Sequence, residues 1–313
     1  MFVELNANTN VGRVRSGNED NYLVLDLSTQ KAWTGSDGDA PPREMQRFEV
    51  SEKGVVLVVS DGMGGALAGD VASRMAVETV RDMLAGAEDG DGESEDEDGP
   101  DAPLVESLKN ATEYANFAIH KRSQDDPHCS GMGATLTAAA ITKEGVSLLQ
   151  VGDSRGYVIR GAQIKLATKD QSLVQQLVDV GQISEQEAET HMFRNVILQA
   201  LGAQAELQPV TGRVRIFRDD LLLLCSDGLS GKLRAEDMIR IVRESNGDLA
   251  RACAALVEEA NERGGEDNIT VVLARITGDD LPSPDTGSIT VEVPESDGDD
   301  TIGHEEEDPT QRL

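Results

Sequence analysis

Short apolar runs, rich in Val, Leu and Ile and bounded by Gly, Asp or Asn, recur along the chain. They are NYLVLDL at 21–27, GVVLVVSD at 54–61, GATLTAAAIT at 133–142, GVSLLQVGD at 145–153, GYVIRG at 156–161, RVRIF at 213–217, DLLLLCSD at 220–227 and NITVVLARI at 268–276. Their length, β-branched content and turn-forming flanks predict strands. Apolar residues spaced every three or four positions predict helices instead, over 104–118, over 173–180 closed by Gly181, over 250–260 and over 66–85. Ser184 with Glu187 has the spacing of a capping box. The order is two strands, two helices, three strands, one or two short helices, two strands, two helices and a last strand. Strands cluster and helices pair, which points away from strand–helix–strand repeats and toward an α+β fold of antiparallel sheets covered by helices. Residues 30–47, with Trp33 and Pro41-Pro42, read as an inserted loop. Residues 86–102 read as an acidic spacer between two helices, and 277–313 as a disordered tail, leaving 1–276 as the folded body.

Composition refines this picture. Only nine of the 313 residues are aromatic, so Val, Leu, Ile and Ala must build the core. The formal charge is −30, but residues 86–101 carry nine carboxylates and no cation, and 277–313 carry twelve with Arg312 alone to offset them. Spacer and tail thus hold two-thirds of the excess, and the body is mildly acidic. So negative a chain, with no basic stripe, argues against nucleic-acid and membrane-surface binding. Cys129, Cys225 and Cys253 cannot all pair, which predicts reduced thiols and a cytoplasmic setting. The opening MFVELNANTN lacks a signal-peptide pattern, and no apolar run is long enough to span a bilayer.

Three strands end alike: Asp61-Gly62, Asp153-Ser154 and Asp227-Gly228 each follow an apolar run. Asp267 stands just before the last strand, and Glu19-Asp20 just before NYLVLDL. Any one such pair is an ordinary turn former. Several carboxylates held at strand tips repel each other unless a cation neutralises them, and oxygen ligands with no His or Cys point to Mg²⁺ or Mn²⁺. Arg15, four residues before Glu19, adds the fork that clamps non-reacting phosphoryl oxygens.

These segments carry a resemblance. VGRVRSGNEDN at 11–21, VVSDGMGG at 58–65, SGMGATLTAA at 130–139, VGDSRGYVIR at 151–160, LLLCSDGLS at 222–230 and GGEDNITVV at 264–272 resemble, in order, the motifs of the metal-dependent protein phosphatases of type 2C in their bacterial form. The resemblance implies a four-layer sandwich, two antiparallel β-sheets flanked by pairs of helices. It implies a phosphoserine/phosphothreonine phosphatase acting on phosphoproteins and working opposite bacterial Ser/Thr kinases, by in-line attack of a metal-bridging water. Carried over residue by residue, Asp61 bridges two metals and the Gly62 carbonyl adds a ligand. Asp227 and Asp267 complete the first ion, Glu19 reaches the second through water, and Arg15 binds phosphate. Asp153 with Asp227 matches a third, weaker metal site. Animal members carry a His where this chain has Met63, which leaves metal-bound water as the implied proton donor. His191, Arg194 and Asn195 fall where the family places a mobile flap, as candidates for substrate contact.

Two other classes compete. GDSRG at 152–156 fits a serine-hydrolase elbow with Ser154 as nucleophile, but that elbow must enter a helix and here a strand follows. A catalytically silent phosphoprotein binder is opposed by the complete set of Arg15, Glu19, Asp61, Asp227 and Asp267. SDGMGGALAG at 60–69 lacks the parallel architecture of a dinucleotide loop, and 88–99 has a calcium loop's composition without its Gly and Glu positions. In the tail, Thr286, Ser288, Thr290 and Thr301 stand in acidic, Pro-containing surroundings that a kinase or a partner could read.

Overall fold

The runs at 55–59 and 222–225 lack polar alternation because both their faces are covered. A computed structural model of the chain describes residues 1–64, 68–86, 102–283 and 288–292. It begins with strands β1 (Phe2–Asn10), β2 (Asp20–Asp26), β3 (Lys31–Thr34), β4 (Arg47–Glu49) and β5 (Val55–Met63), then helices α1 (Ala68–Gly86) and α2 (Ala102–Asp125). Strands β6 (Gly133–Ala134), β7 (Leu136–Thr142), β8 (Gly145–Val151), β9 (Arg155–Arg160) and β10 (Gln163–Leu166) follow. Short helices α3 (Leu173–Asp179) and α4 (Glu185–Thr190) lead to β11 (Val210–Val214) and β12 (Leu221–Cys225). The chain continues through α5 (Asp227–Ser230), α6 (Ala235–Glu244), α7 (Leu249–Glu262), β13 (Ile269–Thr277) and β14 (Val291–Glu292).

One sheet has the order β10-β9-β12-β13-β1-β4, the other β14-β11-β8-β7-β5-β2-β3, and β6 pairs with β5. All neighbours are antiparallel. The two-residue period of a strand splits each run between two cores. In β2, Tyr22 and Val24 point between the sheets, while Leu23 and Leu25 meet α1 and α2. On the other sheet Val272 and Ala274 point inward, while Val271 and Leu273 meet α5, α6 and α7. The four layers are therefore helices, sheet, sheet, helices, and each fully buried Leu or Val adds about 1.5–3 kcal/mol. No described helix is long and apolar enough to cross a membrane, and the three cysteines are buried and unpaired.

Three readings change. Strand β1, paired between β13 and the edge strand β4, was hidden by its polar residues: Asn6 and Thr9 are buried, and Thr9 Oγ1 meets Thr270 Oγ1 at 2.7 Å. The inserted loop at 30–47 instead contains β3 and enters β4, on different sheets, so it wraps one open side of the sandwich. Its anchors are local hydrogen bonds, such as Tyr22 Oη to the Gly38 carbonyl at 3.0 Å, which apolar periodicity does not register. The tail is not wholly free of structure from 277. Its described part adds β14 beside β11, Ile289 enters the inter-sheet core at 2% exposure, and Lys165 Nζ donates to the Ile289 carbonyl at 2.9 Å. One β-branched residue, Val291, beside Glu292 sufficed for an edge strand, a signal too short for pattern reading. Most of the spacer and the tail's other residues, with Thr286 and Thr301, lie outside the described residues. The capping box at α4 forms as spaced, Ser184 and Glu187 each holding the other's backbone N–H.

Candidate active site

The antiparallel register sets Asp20 on β2 directly opposite Asp61 on β5. Like charges in that relation destabilise a sheet unless something neutralises them. Asp227 opens α5 at the end of β12, Asp153 follows β8, and Asp267 precedes β13, so all five acids gather at one end of the sandwich. Burial, and then Asp20, Asp227, Asp153 and Asp267 in that order, raise the Asp61 carboxyl well above the ordinary range. Asp227 is raised by burial and Asp267, and is held partly down by a hydrogen bond shared with Asp61. Burial pushes Asp153 up to about 7, aided by Asp227 and Asp170 and opposed by Arg155. Asp20 also rises to about 7 through burial, against the hydrogen bonds of Ser226 and Thr270. Glu19 is raised by burial and lowered by Arg15.

Backbone and side-chain anchors hold these acids in place. Ser226 Oγ donates to Asp20 Oδ2 at 2.7 Å and accepts the Thr270 N–H at 3.0 Å. Asn268 ties the 11–19 loop to β13: its Oδ1 accepts the Glu19 N–H at 2.8 Å, and its Nδ2 donates to the Val11 and Gly17 carbonyls at 2.8 and 2.9 Å. Arg15 Nη2 donates to Asp267 Oδ2 at 2.7 Å, which brings the guanidinium to the cluster and raises its own pKa. The Asp-Gly pairs are not turns here, since Gly62 lies inside β5 and Gly228 inside α5. Glycine is required for close approach: a Cβ on Gly62 would sit 2.1 Å from the Gly69 carbonyl oxygen, and one on Gly228 1.9 Å from that of Asn268.

The donor set fits a hard divalent cation. It is all oxygen, burial and the charges of its other members raise the Asp61 carboxyl, and the buried Oδ1 of Asp20 has no hydrogen-bond partner. Among the described residues no three acidic, His or Cys side chains close into a ligand cage. Asp20 was the residue sequence reasoning passed over. It appeared only as the neighbour of Glu19, and its signal, an acid beginning an otherwise apolar strand, was present.

Other candidates separate from the cluster. Ser154 is wholly buried with its hydroxyl 2.7 Å from Thr135 Oγ1, and β9 follows it, which removes the serine-hydrolase elbow. Met63 ends β5 opposite Gly133 and offers no proton. His191 caps α4, its Nδ1 accepts the Phe193 N–H at 3.2 Å, and Arg194 and Asn195 are exposed. No hydrogen bond or ion pair joins these three to the carboxylates. A cavity of about 280 Å³ bordered by Arg160, Arg218 and Arg243 lies at the opposite ends of β9 and β12 and shares no residue with the cluster.

Known proteins share this chain's sequence and fold. The profile of the protein phosphatase 2C family matches residues 43–273. The serine/threonine phosphatase stp of Listeria innocua is 34% identical over 266 residues, 85% of this chain and 92% of the relative. The protein phosphatase PhpP of Streptococcus pneumoniae is 37% identical over 225 residues, 72% of this chain and 87% of the relative. The crystal structure of the catalytic domain of the serine/threonine protein phosphatase PstP in complex with two manganese ions superposes with a TM-score of 0.68 at 30% identity, covering 88% of this chain and 99% of that one. On a match spanning most of the chain, with one-third identity along nearly all of a named relative, the chain belongs to the protein phosphatase 2C family, among its bacterial serine/threonine phosphatases.

Proposed function

We propose that the chain hydrolyses phosphoserine and phosphothreonine in proteins with two bound Mg²⁺ or Mn²⁺ ions, reversing the work of Ser/Thr kinases. The observation that carries this is the convergence of Asp20, Asp61, Asp153, Asp227 and Asp267, from five separate segments, into one cluster in which burial and then neighbouring charge raise the Asp20, Asp61, Asp153 and Asp227 carboxyls. The manganese-bound PstP structure, similar over most of the chain, supports the metal choice. Asp61, Asp227, Asp267, Glu19 and the Gly62 carbonyl would hold the core pair, and Asp153 with Asp227 a third ion. Such a pair supplies a water acidic enough to serve as nucleophile at neutral pH and offsets phosphoryl charge.

The chain's own groups do the rest. Arg15, half-exposed, spends one Nη on Asp267 and keeps its other N–H groups for non-reacting phosphoryl oxygens. Ser226 and Asn268 fix the directions of Asp20 and Glu19, so that orientation is set before substrate arrives. With Met63 unable to donate, the leaving alkoxide takes its proton from solvent in the cleft. Hydrolysis of an aryl phosphate tests the reading. Turnover is expected with Mn²⁺, none with chelator, and in Asp227→Asn a loss of about two orders of magnitude or more. Turnover that persists in chelator overturns the metal assignment, and retention of a phosphopeptide without turnover identifies a binder.

A further inference from the structure

Two buried hydroxyls outside the carboxylate set touch the backbone beside two of its members. Thr135 is 1% exposed and Ser154 is fully buried. Thr135 Oγ1 accepts the Asp61 N–H at 3.0 Å, and the Thr135 N–H donates to the Asp61 carbonyl at 2.8 Å. The same Oγ1 lies 2.7 Å from Ser154 Oγ. The Ser154 carbonyl in turn accepts from Thr137 Oγ1 at 2.8 Å and from Gln150 Nε2 at 2.7 Å. On the far side of Asp153, a Cβ on Gly152, whose φ is +95°, would sit 2.7 Å from the Thr135 methyl. One threonine thus fixes the backbone of Asp61 and, through Ser154 and Gly152, both flanks of Asp153.

We propose that Thr135 and Ser154 are positioning residues: their hydroxyl bridge sets the Asp61 end of β5 and the Asp153 turn relative to each other, so that both carboxylates stay aimed at shared cations. The proposal rests on the reading of Asp61 and Asp153 as metal ligands. The two acids repel each other. An apolar contact between the two segments would resist compression but not this outward push, whereas a directional hydrogen bond resists both separation and rotation. Neither hydroxyl acts as a nucleophile, because both are closed off from solvent.

The experiment is a Mn²⁺ binding isotherm by calorimetry on the full chain, for wild type, Thr135→Val, Thr135→Ser, Ser154→Ala and Asp61→Asn, with melting temperatures alongside. Thr135→Val keeps the methyl that packs on Gly152 and removes the hydroxyl that meets both Ser154 Oγ and the Asp61 N–H, whereas Ser154→Ala removes the bridge alone. It and Ser154→Ala are expected to weaken Mn²⁺ binding by about 10- to 100-fold, as groups that orient metal ligands do. Thr135→Ser is expected to restore it. Aryl phosphate turnover should lose kcat in the weakened variants with KM unchanged. Wild-type affinity in Thr135→Val and Ser154→Ala, with only the melting temperature lowered, would mean a purely structural network and overturns the proposal alone. No Mn²⁺ binding in wild type, or binding unaffected by Asp61→Asn, overturns the ligand reading and this inference with it.

Discussion

A carboxylate facing another carboxylate can be neutralised by a proton or by a cation, and Asp20 and Asp153 are placed to take either. Without a divalent ion both keep their protons to about pH 7, while in the unfolded chain an Asp releases its proton near pH ~3.9. Between those limits the native state binds more protons, so its stability is full at the acid end and declines as pH rises toward 7. Melting temperatures in chelator should therefore fall from pH 5 to 7, less steeply in Asp20→Asn, and Mn²⁺ should flatten the slope. A melting temperature that rises over that range in chelator counts against the assignment. A second pair lies far from the site. The Arg160 fork donates to both oxygens of the fully buried Asp220 at 2.8 and 2.7 Å, beneath the Phe217 ring at 4.1 Å. Asp220→Ala leaves a buried cation unpaired and should cost about 3–5 kcal/mol in denaturant unfolding. Turnover per folded molecule should stay the same, since Arg160 is at the other end of β9 from Asp153. Neither role was legible in the sequence, where Arg160 ends a strand and Asp220 begins one like any turn acid.

At the scale of elements, legibility followed from how a segment is buried. Strands covered on both faces, such as β5 and β12, read directly as apolar runs, and α4 announced itself through its cap. Elements held by backbone pairing with only one or two apolar side chains did not. β14 is the sharpest case: a two-residue ladder with β11, the Ile289 side chain in the inter-sheet core and Lys165 on its carbonyl. Ile289→Ala should lower stability by about 2 kcal/mol or more, in the range for buried aliphatic truncation. A thermal melt checks this, and the same variant should hydrolyse aryl phosphate normally below its transition, because β14 pairs with the end of β11 remote from Gln150 and the Asp153 turn. An unchanged melt would mean that the strand contributes nothing.

For the whole molecule, the −30 charge resolves into parts with different consequences. The strand-end acids are a minority of it, and divalent cations bound there would, with Arg15, offset most of the negative charge that a phosphoprotein meets. The tail divides by its contacts. The Met1 amino group pairs with Asp280 at 3.0 Å, Pro282 accepts the Arg218 N–H at 2.9 Å, and Ile289 fills the core. Removing residues 293–313 should leave both melting temperature and aryl phosphate turnover unchanged. Removing 278–313 should lower the melting temperature. Differential scanning calorimetry of the two truncations distinguishes them, and equal melts would show that the wrapped segment does not stabilise the body. If the shorter truncation alters recovery of phosphoprotein partners while sparing turnover, docking is the tail's role.

The sequence by itself showed the alternation of strand clusters with helix pairs and picked out Asp61, Asp153, Asp227, Asp267, Glu19 and Arg15 as candidates, with the hard-cation chemistry that the carboxylates suit. It could do so because apolar runs and the acids that end them are local patterns, readable within ten residues. Only the tertiary structure decided that Asp20 faces Asp61 across a strand pair, that Thr135 joins the backbone beside two carboxylates, and that Gly62 and Gly228 serve close packing. It also decided that residues 31–49 and 288–292 close the two sides of the sandwich. Those facts depend on register and on contacts between segments as far apart as Asp20 and Ser226, and the energy of such contacts exists only once the chain has folded.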